Sequence, residues 1–464
     1  MADFTLERAS LRERTTTALA DVALRGNLRR ATDRFAHMRA AGLSQLANPE
    51  ALRATARALR GRTLARLPDL LDQFADQLIA RGAHVHWASD EESAREYVAE
   101  VARGHGVRKV VKSKSMASEE IALNHHLEGL GIEVIETDLG EWIIQLARET
   151  PSHILAPAIH KNRRQIAEVL SRVAGGDLSE IPSELTAFAR QKLRGEFLDA
   201  DMGISGVNFG VAASGSLVLV TNEGNGRLVT SMPKVHVAVM GMERLVADFA
   251  ELDVMLALLA RSATGQALSV YTSIITGPRR PGEADGPDEL HVVILDNGRS
   301  SVLGTEFQEI LHCIRCGACL NVCPVYRQVG GHAYGWVYSG PIGAVLTPLL
   351  VRSQAAKELS GASSLCGACW KACPVGIPLQ DLLLALRRRD STKKWSEQAA
   401  WRLWAWLWSS PSGFRWSLSL IRALAQLGPK APLYRFPALS RWSRGRGVPA
   451  VPAKGFRDWW RENR

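Results

Sequence analysis

The sequence predicts a multidomain α/β plus α protein: an α/β domain with a buried, largely parallel sheet, then a helical cysteine-bearing domain, then a Trp/Arg-rich helical tail. Three observations carry this. Apolar strand-like runs interleave with helical patterns between about 66 and 300. All seven cysteines lie between 313 and 373. Residues 387–464 hold 17 Lys+Arg against 4 Asp+Glu, with nine of the thirteen Trp. The net charge of +10 therefore belongs to the tail, because the rest of the chain sums to −3.

Four segments follow: 1–65, 66–300, 301–390 and 391–464. The first is rich in Ala, Leu and Arg and poor in β-branched residues, which favours helix. In the second, 107–113 reads as a short strand, and 118–131 as a helix with Ser118 at its N-cap and acids in its first turn. Residues 132–137 and 153–157 read as strands. Ile166, Val169, Leu170 and Val173 recur at helical spacing until Gly175-Gly176 stops them. Apolar runs at 216–222, 235–241, 268–277 and 290–298 read as strands, with a helical pattern over 242–261. The Gly, Pro and charged residues of 277–289 make an exposed loop. The Pro/Gly/Arg-rich stretch 428–453 reads as extended.

No run of about 18 uncharged apolar residues occurs, and the start carries an acid and no apolar core of a secretory signal. The expectation is a cytoplasmic protein. Cysteines gathered in one short region point to metal rather than to a secreted disulfide framework.

The cysteines form two copies of one frame. Cys313, Cys316, Cys319 and Cys323, followed by Pro324, make C-x2-C-x2-C-x3-C-P. This is the ferredoxin spacing, in which the last cysteine serves the other cluster. Cys366, Cys369 and Cys373, followed by Pro374, repeat it with Ser363 in the place of the first cysteine. Crossing the last cysteines assigns Cys313, Cys316, Cys319 and Cys373 to one 4Fe–4S cluster. Cys366, Cys369 and Cys323 go to a second that lacks one protein thiolate. Ser363 is a poor oxygen substitute for a thiolate. The vacant corner holds the Ser363 oxygen, an outside ligand or no iron; the sequence does not choose. A tetrahedral zinc site needs four ligands and explains neither the seven cysteines nor the repeated ending. A cluster with four protein thiolates has no open iron, so it carries electrons.

With these residues in view, the chain resembles the lactate-utilisation protein B family of iron–sulfur proteins. The likeness rests on 203–246, on "CIRCGACLNVCPVY" and on "SSLCGACWKACPVGIPL". It extends over roughly 65 to 390, with the tail resembling that family's C-terminal extension. The serine in the eighth place belongs to the family's own pattern. The resemblance implies an electron-transfer subunit that works with companion lactate-utilisation proteins A and C to oxidise L-lactate to pyruvate. It also implies an α/β domain of the CoA-transferase and ribose-5-phosphate-isomerase class. It supplies no lactate-binding residues, and the electron acceptor is not legible.

Other residues admit plainer readings. Glu223, in the Gly-rich "TNEGNGR", resembles the nucleophilic glutamate of CoA-transferase-like folds, but a turn with one solvated acid is the preferred reading. A ligand pocket with Asn222, Asn225 and Arg227 stays open, so a catalytic α/β domain is the alternative function. Lys112, Lys114 and Ser115 follow a strand and suit an anion, though a solvated basic loop is preferred. There is no Walker loop and no dinucleotide fingerprint. His125-His126 and the His84/His86 pair are too few to hold a metal alone. His312 is a candidate hydrogen-bond partner for the first cluster. Trp401, Trp404 and Trp408 share a helical face, which suits packing or partner docking, with peripheral membrane contact through the tail as the alternative. No nucleic-acid-binding motif supports the basic charge.

Overall fold

Burial of a six-stranded sheet on both faces organises the α/β part of the computed structural model, which describes residues 4–390, 395–425, 452 and 454–464. The expected extended stretch 428–453 lies almost wholly outside these. The chain divides into two compact units, 1–390 and 391–464.

Four helices open the first unit: Leu11–Ala20, Val22–Ser44, Pro49–Ala65 and Leu67–Ala80. Ser10 and Glu13 form a reciprocal capping box, and Asp21 and Asn48 cap the next two helices, so orphan N–H groups at each start are satisfied. The strands, in chain order, are β1 (His84–Ala88), β2 (Lys109–Lys112), β3 (Glu133–Glu136), β4 (Met202–Gly206), β5 (Phe209–Val211), β6 (Ser216–Thr221), β7 (Val235–Gly241), β8 (Leu245–Val246), β9 (Tyr271–Ile275) and β10 (Glu289–Leu295). The main sheet runs β1-β10-β7-β4-β2-β3, and every pairing in it is parallel. Every residue of β7 is buried, as a central strand with both faces covered requires.

A second sheet, β8-β5-β6-β9, was not anticipated. Its β5–β6 and β6–β9 pairs are antiparallel. Its strands read as apolar runs like those of the main sheet, so pattern alone does not separate them. Gly203 in β4 is needed for contact: a Cβ there would collide with the Val229 carbonyl of the helix Asn225–Ser231.

Several expectations need correction. Residues 153–157 form turns; the His153 ring takes the N–H of Leu155 at 3.0 Å and holds the segment bent. The helix expected at 118–131 starts earlier, at Met116 with Ser115 as N-cap, and breaks at Ala122, whose φ is 48°. The helix expected at 242–261 is Phe249–Ala263, preceded by a 3₁₀ turn and β8. The helices of the first segment also contact the cysteine region. Arg39 donates to the Ala372 carbonyl and Arg53 to those of Cys373 and Trp370, which ties them to the cysteine region.

In the second unit, helices Trp395–Ser409, Pro411–Ala425 and Phe456–Glu462 are described. Trp401, Trp404 and Trp408 follow one another along the first, with ring centroids 5.6 and 5.4 Å apart, as the helical spacing predicts. Among the described residues no helix is long and apolar enough to cross a membrane.

Candidate functional site

Each cysteine frame folds as a tight loop ending in a five-residue helix, Ala318–Val322 and Ala368–Ala372. The two loops share one backbone. Arg315 (φ 58°) and Gly317 (φ 71°) flank Cys316, as Leu365 (φ 55°) and Gly367 (φ 77°) flank Cys366. These left-handed residues turn amide groups inward. The Arg315 N–H reaches Cys313 Sγ at 3.4 Å, and the Ile377 N–H reaches Cys373 Sγ at 3.4 Å. In the second loop the Leu365 N–H reaches Ser363 Oγ at 3.1 Å. Ser363 thus has the backbone relation to its loop that Cys313 has to its own.

The thiols sort by proximity into two groups that cut across the repeats. Burial and the neighbouring Cys373 and Cys313 push the Cys316 thiol up to about 12. Burial pushes Cys373 up to about 11, with Cys313 adding to it. Burial and then Cys323 and Cys366 raise Cys369 to about 12. Cys323 is raised by burial and by Cys366. Cys319 senses Cys313, Cys316 and Cys373, and also Cys369 across the gap. Cys313, Cys316, Cys319 and Cys373 therefore neighbour one another, and Cys323 sits with Cys366 and Cys369. Cys366 is the one exposed cysteine.

Thiol spacing bears on what these groups can hold. Four sulfurs around one zinc stand about 3.8 Å apart, from a Zn–S distance of about 2.3 Å. Among the described residues no three thiols come within 4.8 Å of one another. The loops are too wide for a single tetrahedral ion and suit a larger cubane, with inward amides for its sulfurs.

A cavity of about 360 Å³ adjoins the first loop. It lies beyond the C-terminal ends of β2, β3, β4 and β7, where open α/β sheets bind ligands. Arg315, from between Cys313 and Cys316, forms part of its wall. So does Arg244, whose Nη1 donates to the Cys313 carbonyl at 2.8 Å. Arg244 is 6% exposed and lies over the Phe209 ring, and among the described residues no carboxylate pairs with it. Lys114 also lines the cavity; its Nζ has no hydrogen-bond partner and stands 3.7 Å from Glu141. Glu223 closes the far side, with Oε2 accepting the Leu139 N–H at 3.2 Å. Desolvation by its neighbours and the nearby Asp138 push its carboxyl up to about 7, although the residue is exposed to solvent, which tempers that rise.

Other expected residues fall elsewhere. Lys112 is neither solvated nor an anion ligand: it is buried and paired with Glu119 at 2.8 Å and Glu136 at 2.7 Å. Ser115 lines the cavity while capping its helix. Asn225 lines it too and is buried; Asn222 is exposed at its rim and accepts the Val270 N–H; Arg227 is exposed and is not part of the wall. His312 is buried, but its Nδ1 has no partner and no hydrogen bond joins it to a cysteine among the described residues. His153 holds the place beside the first loop instead. Its Cε1 would stand 3.2 Å from a Cβ on Gly317, and its Nε2 pairs with Asn321 at 3.1 Å. Only the bend at 153–157 reveals it, and the apolar sequence there disguised that bend as a strand.

Comparison with known proteins agrees with this layout. Residues 71–295 match the LUD domain, 309–377 a 4Fe-4S dicluster domain, and 383–464 the C-terminal domain of lactate utilisation protein B. The Lactate utilization protein B of Bacillus licheniformis is 47% identical, over 98% of this chain and 96% of its own. That of Shouchella clausii is 48% identical, over 98% and 97%. The chain belongs to the lactate utilization protein B family. Its iron–sulfur region follows a mixed α/β domain. A DUF162 family protein from Deinococcus radiodurans, known from a crystal structure, aligns with 49% of this chain and 98% of its own at 15% identity. Its TM-score of 0.29 is too low to establish a shared fold.

Proposed function

We propose that this chain is the iron–sulfur electron-transfer subunit of a system that oxidises L-lactate to pyruvate together with companion proteins A and C. One observation supports this above the others: Cys373 neighbours the first loop's thiols and Cys323 the second loop's, with the first set near the cavity and the second reaching the surface at Cys366. On this reading Cys313, Cys316, Cys319 and Cys373 hold one cluster. Cys366, Cys369 and Cys323 hold the second, which has no fourth cysteine. Oxidation of lactate releases two electrons and two protons, and a pair of clusters takes one electron each. The residues around the loops set the charge that reduction meets. Arg39, Arg53 and Arg244 place cationic groups against the first group and favour the added electron.

The test is anaerobic EPR with iron quantitation on the reconstituted chain, alone and with the companion proteins and L-lactate. The expected result is cluster reduction only in the assembly. Cys373→Ala should lose about half of the iron and the signal of the buried group. Full-rate lactate oxidation by the isolated chain would overturn the relay role.

The cavity favours a second reading, in which the α/β domain binds the acid. Arg244 and Lys114 present cationic groups to the cavity that suit a carboxylate, and Glu223, its carboxyl pushed up to about 7, suits a hydroxyl proton. Glu223→Gln should then abolish turnover by the assembly while leaving iron content intact. Unchanged turnover removes this reading.

A further inference from the structure

The opposite edge of the main sheet carries a cluster that takes no part in the chemistry above. We propose that His84, Glu289 and His291, with His105 as fourth donor, bind a divalent transition-metal ion of the zinc class.

Strand pairing creates the cluster. β1 and β10 run parallel with His84 directly opposite His291, and their rings stack 4.7 Å apart. Glu289, two residues earlier, projects on the same face as His291. Nitrogen and carboxylate atoms of these three residues lie within 4.8 Å of one another, the only such grouping among the described residues. His105, just past the helix Glu91–Gly104, joins them from another element. Its Nε2 stands 3.2 Å from Glu289 Oε2, and His291 Nε2 stands 3.3 Å from that same oxygen. Ligand atoms around a tetrahedral zinc are separated by about 3.3 Å, from metal–nitrogen distances of about 2.0–2.1 Å.

Support behind the ligands is also present. The Tyr97 hydroxyl is 2.9 Å from His291 Nδ1. By accepting the Nδ1 proton it leaves the Nε2 lone pair for the ion, the usual device that orients a ligating histidine. His86 stacks on Tyr97 at 4.1 Å and meets Ser93, so it braces the tyrosine and is no ligand. His291 is buried while His84 is exposed, which leaves one side of the site open for entry. A donor set of imidazoles and one carboxylate, without thiol, suits zinc and its neighbours. The bound ion would tie edge strand β1 to β10 and to the turn before β2. The cavity lies beyond the C-terminal ends of β2, β3, β4 and β7, whereas His84, Glu289 and His291 lie at the N-terminal ends of β1 and β10.

The experiment uses the full chain with its iron loaded anaerobically and zinc chloride as probe. Affinity is read by competition with a chromophoric chelator, and the ligand shell by zinc K-edge absorption. One zinc per chain is expected, in a nitrogen/oxygen shell at about 2.0–2.1 Å with histidine scattering. His84→Ala/His105→Ala, both at exposed or half-exposed positions, should weaken binding at least ten-fold with iron content unchanged. Tyr97→Phe should weaken it about ten-fold. Three results would each overturn the proposal: no zinc retained against the chelator, a sulfur shell at about 2.3 Å, or equal binding by the double variant.

Discussion

Glu243 shows how much one carboxylate couples here. It is buried, pairs with Arg299 at 2.7 Å and Arg315 at 3.2 Å, and so joins the cavity wall to the first cysteine loop. Burial alone would raise its pKa, but Arg299, Arg315 and Arg244 outweigh that and hold it at about 2. A depressed folded-state pKa means stability that is present above the unfolded value of about 4.3 and lost as pH falls towards 2, worth up to roughly 3 kcal/mol. Glu243→Gln leaves the buried Arg315 without its carboxylate and Arg299 with Glu120 alone, and should cost about 3 kcal/mol at neutral pH. In thermal denaturation between pH 7 and pH 3, the gap between wild type and variant should narrow below about pH 4.3. A gap that stays constant with pH would show that the carboxylate's charge contributes nothing.

At the scale of elements, the two cysteine loops are a natural comparison. Gly317 and Gly367 occupy equivalent left-handed positions, so alanine at either costs about 1–2 kcal/mol. Their surroundings differ. A Cβ on Gly317 would meet His153 and Leu155 at 3.2 Å, whereas Gly367 has open space. Gly317→Ala should therefore lose more iron than Gly367→Ala, measured per chain after identical anaerobic reconstitution. Equal losses would mean that His153 does not brace the first loop. The loops themselves were legible in the sequence because cluster spacing is local. The bend at 153–157 was not, since its shape comes from a histidine ring capping its own backbone. The second sheet was hidden for a related reason: buried strands of either sheet read as continuous apolar runs.

For the molecule as a whole, the N-terminal helices act as a clamp. Arg60, 1% exposed, donates to the carbonyls of Leu245, Glu243 and Leu311, joining helix Pro49–Ala65 to the second sheet and to the approach to Cys313. Arg60→Ala strands three buried carbonyls and opens a cavity, a loss of about 3 kcal/mol or more. The melting temperature should fall by at least roughly 5 °C, and iron should be lost from the group nearest Cys313. A variant that keeps both its melting temperature and its iron would show that the clamp is dispensable.

The sequence by itself determined the motif and its setting: seven cysteines in a repeated frame, a serine in the eighth place, a parallel α/β domain ahead of them and a basic Trp-rich tail behind. Those features are written in spacing and periodicity, which act over a few residues. Tertiary structure alone decided that Arg244 and Arg315 join the cavity to the first loop, and that His84 meets His291. These contacts join residues tens to hundreds of positions apart. They depend on sheet order and on how helices cover the sheet, and no local pattern encodes either.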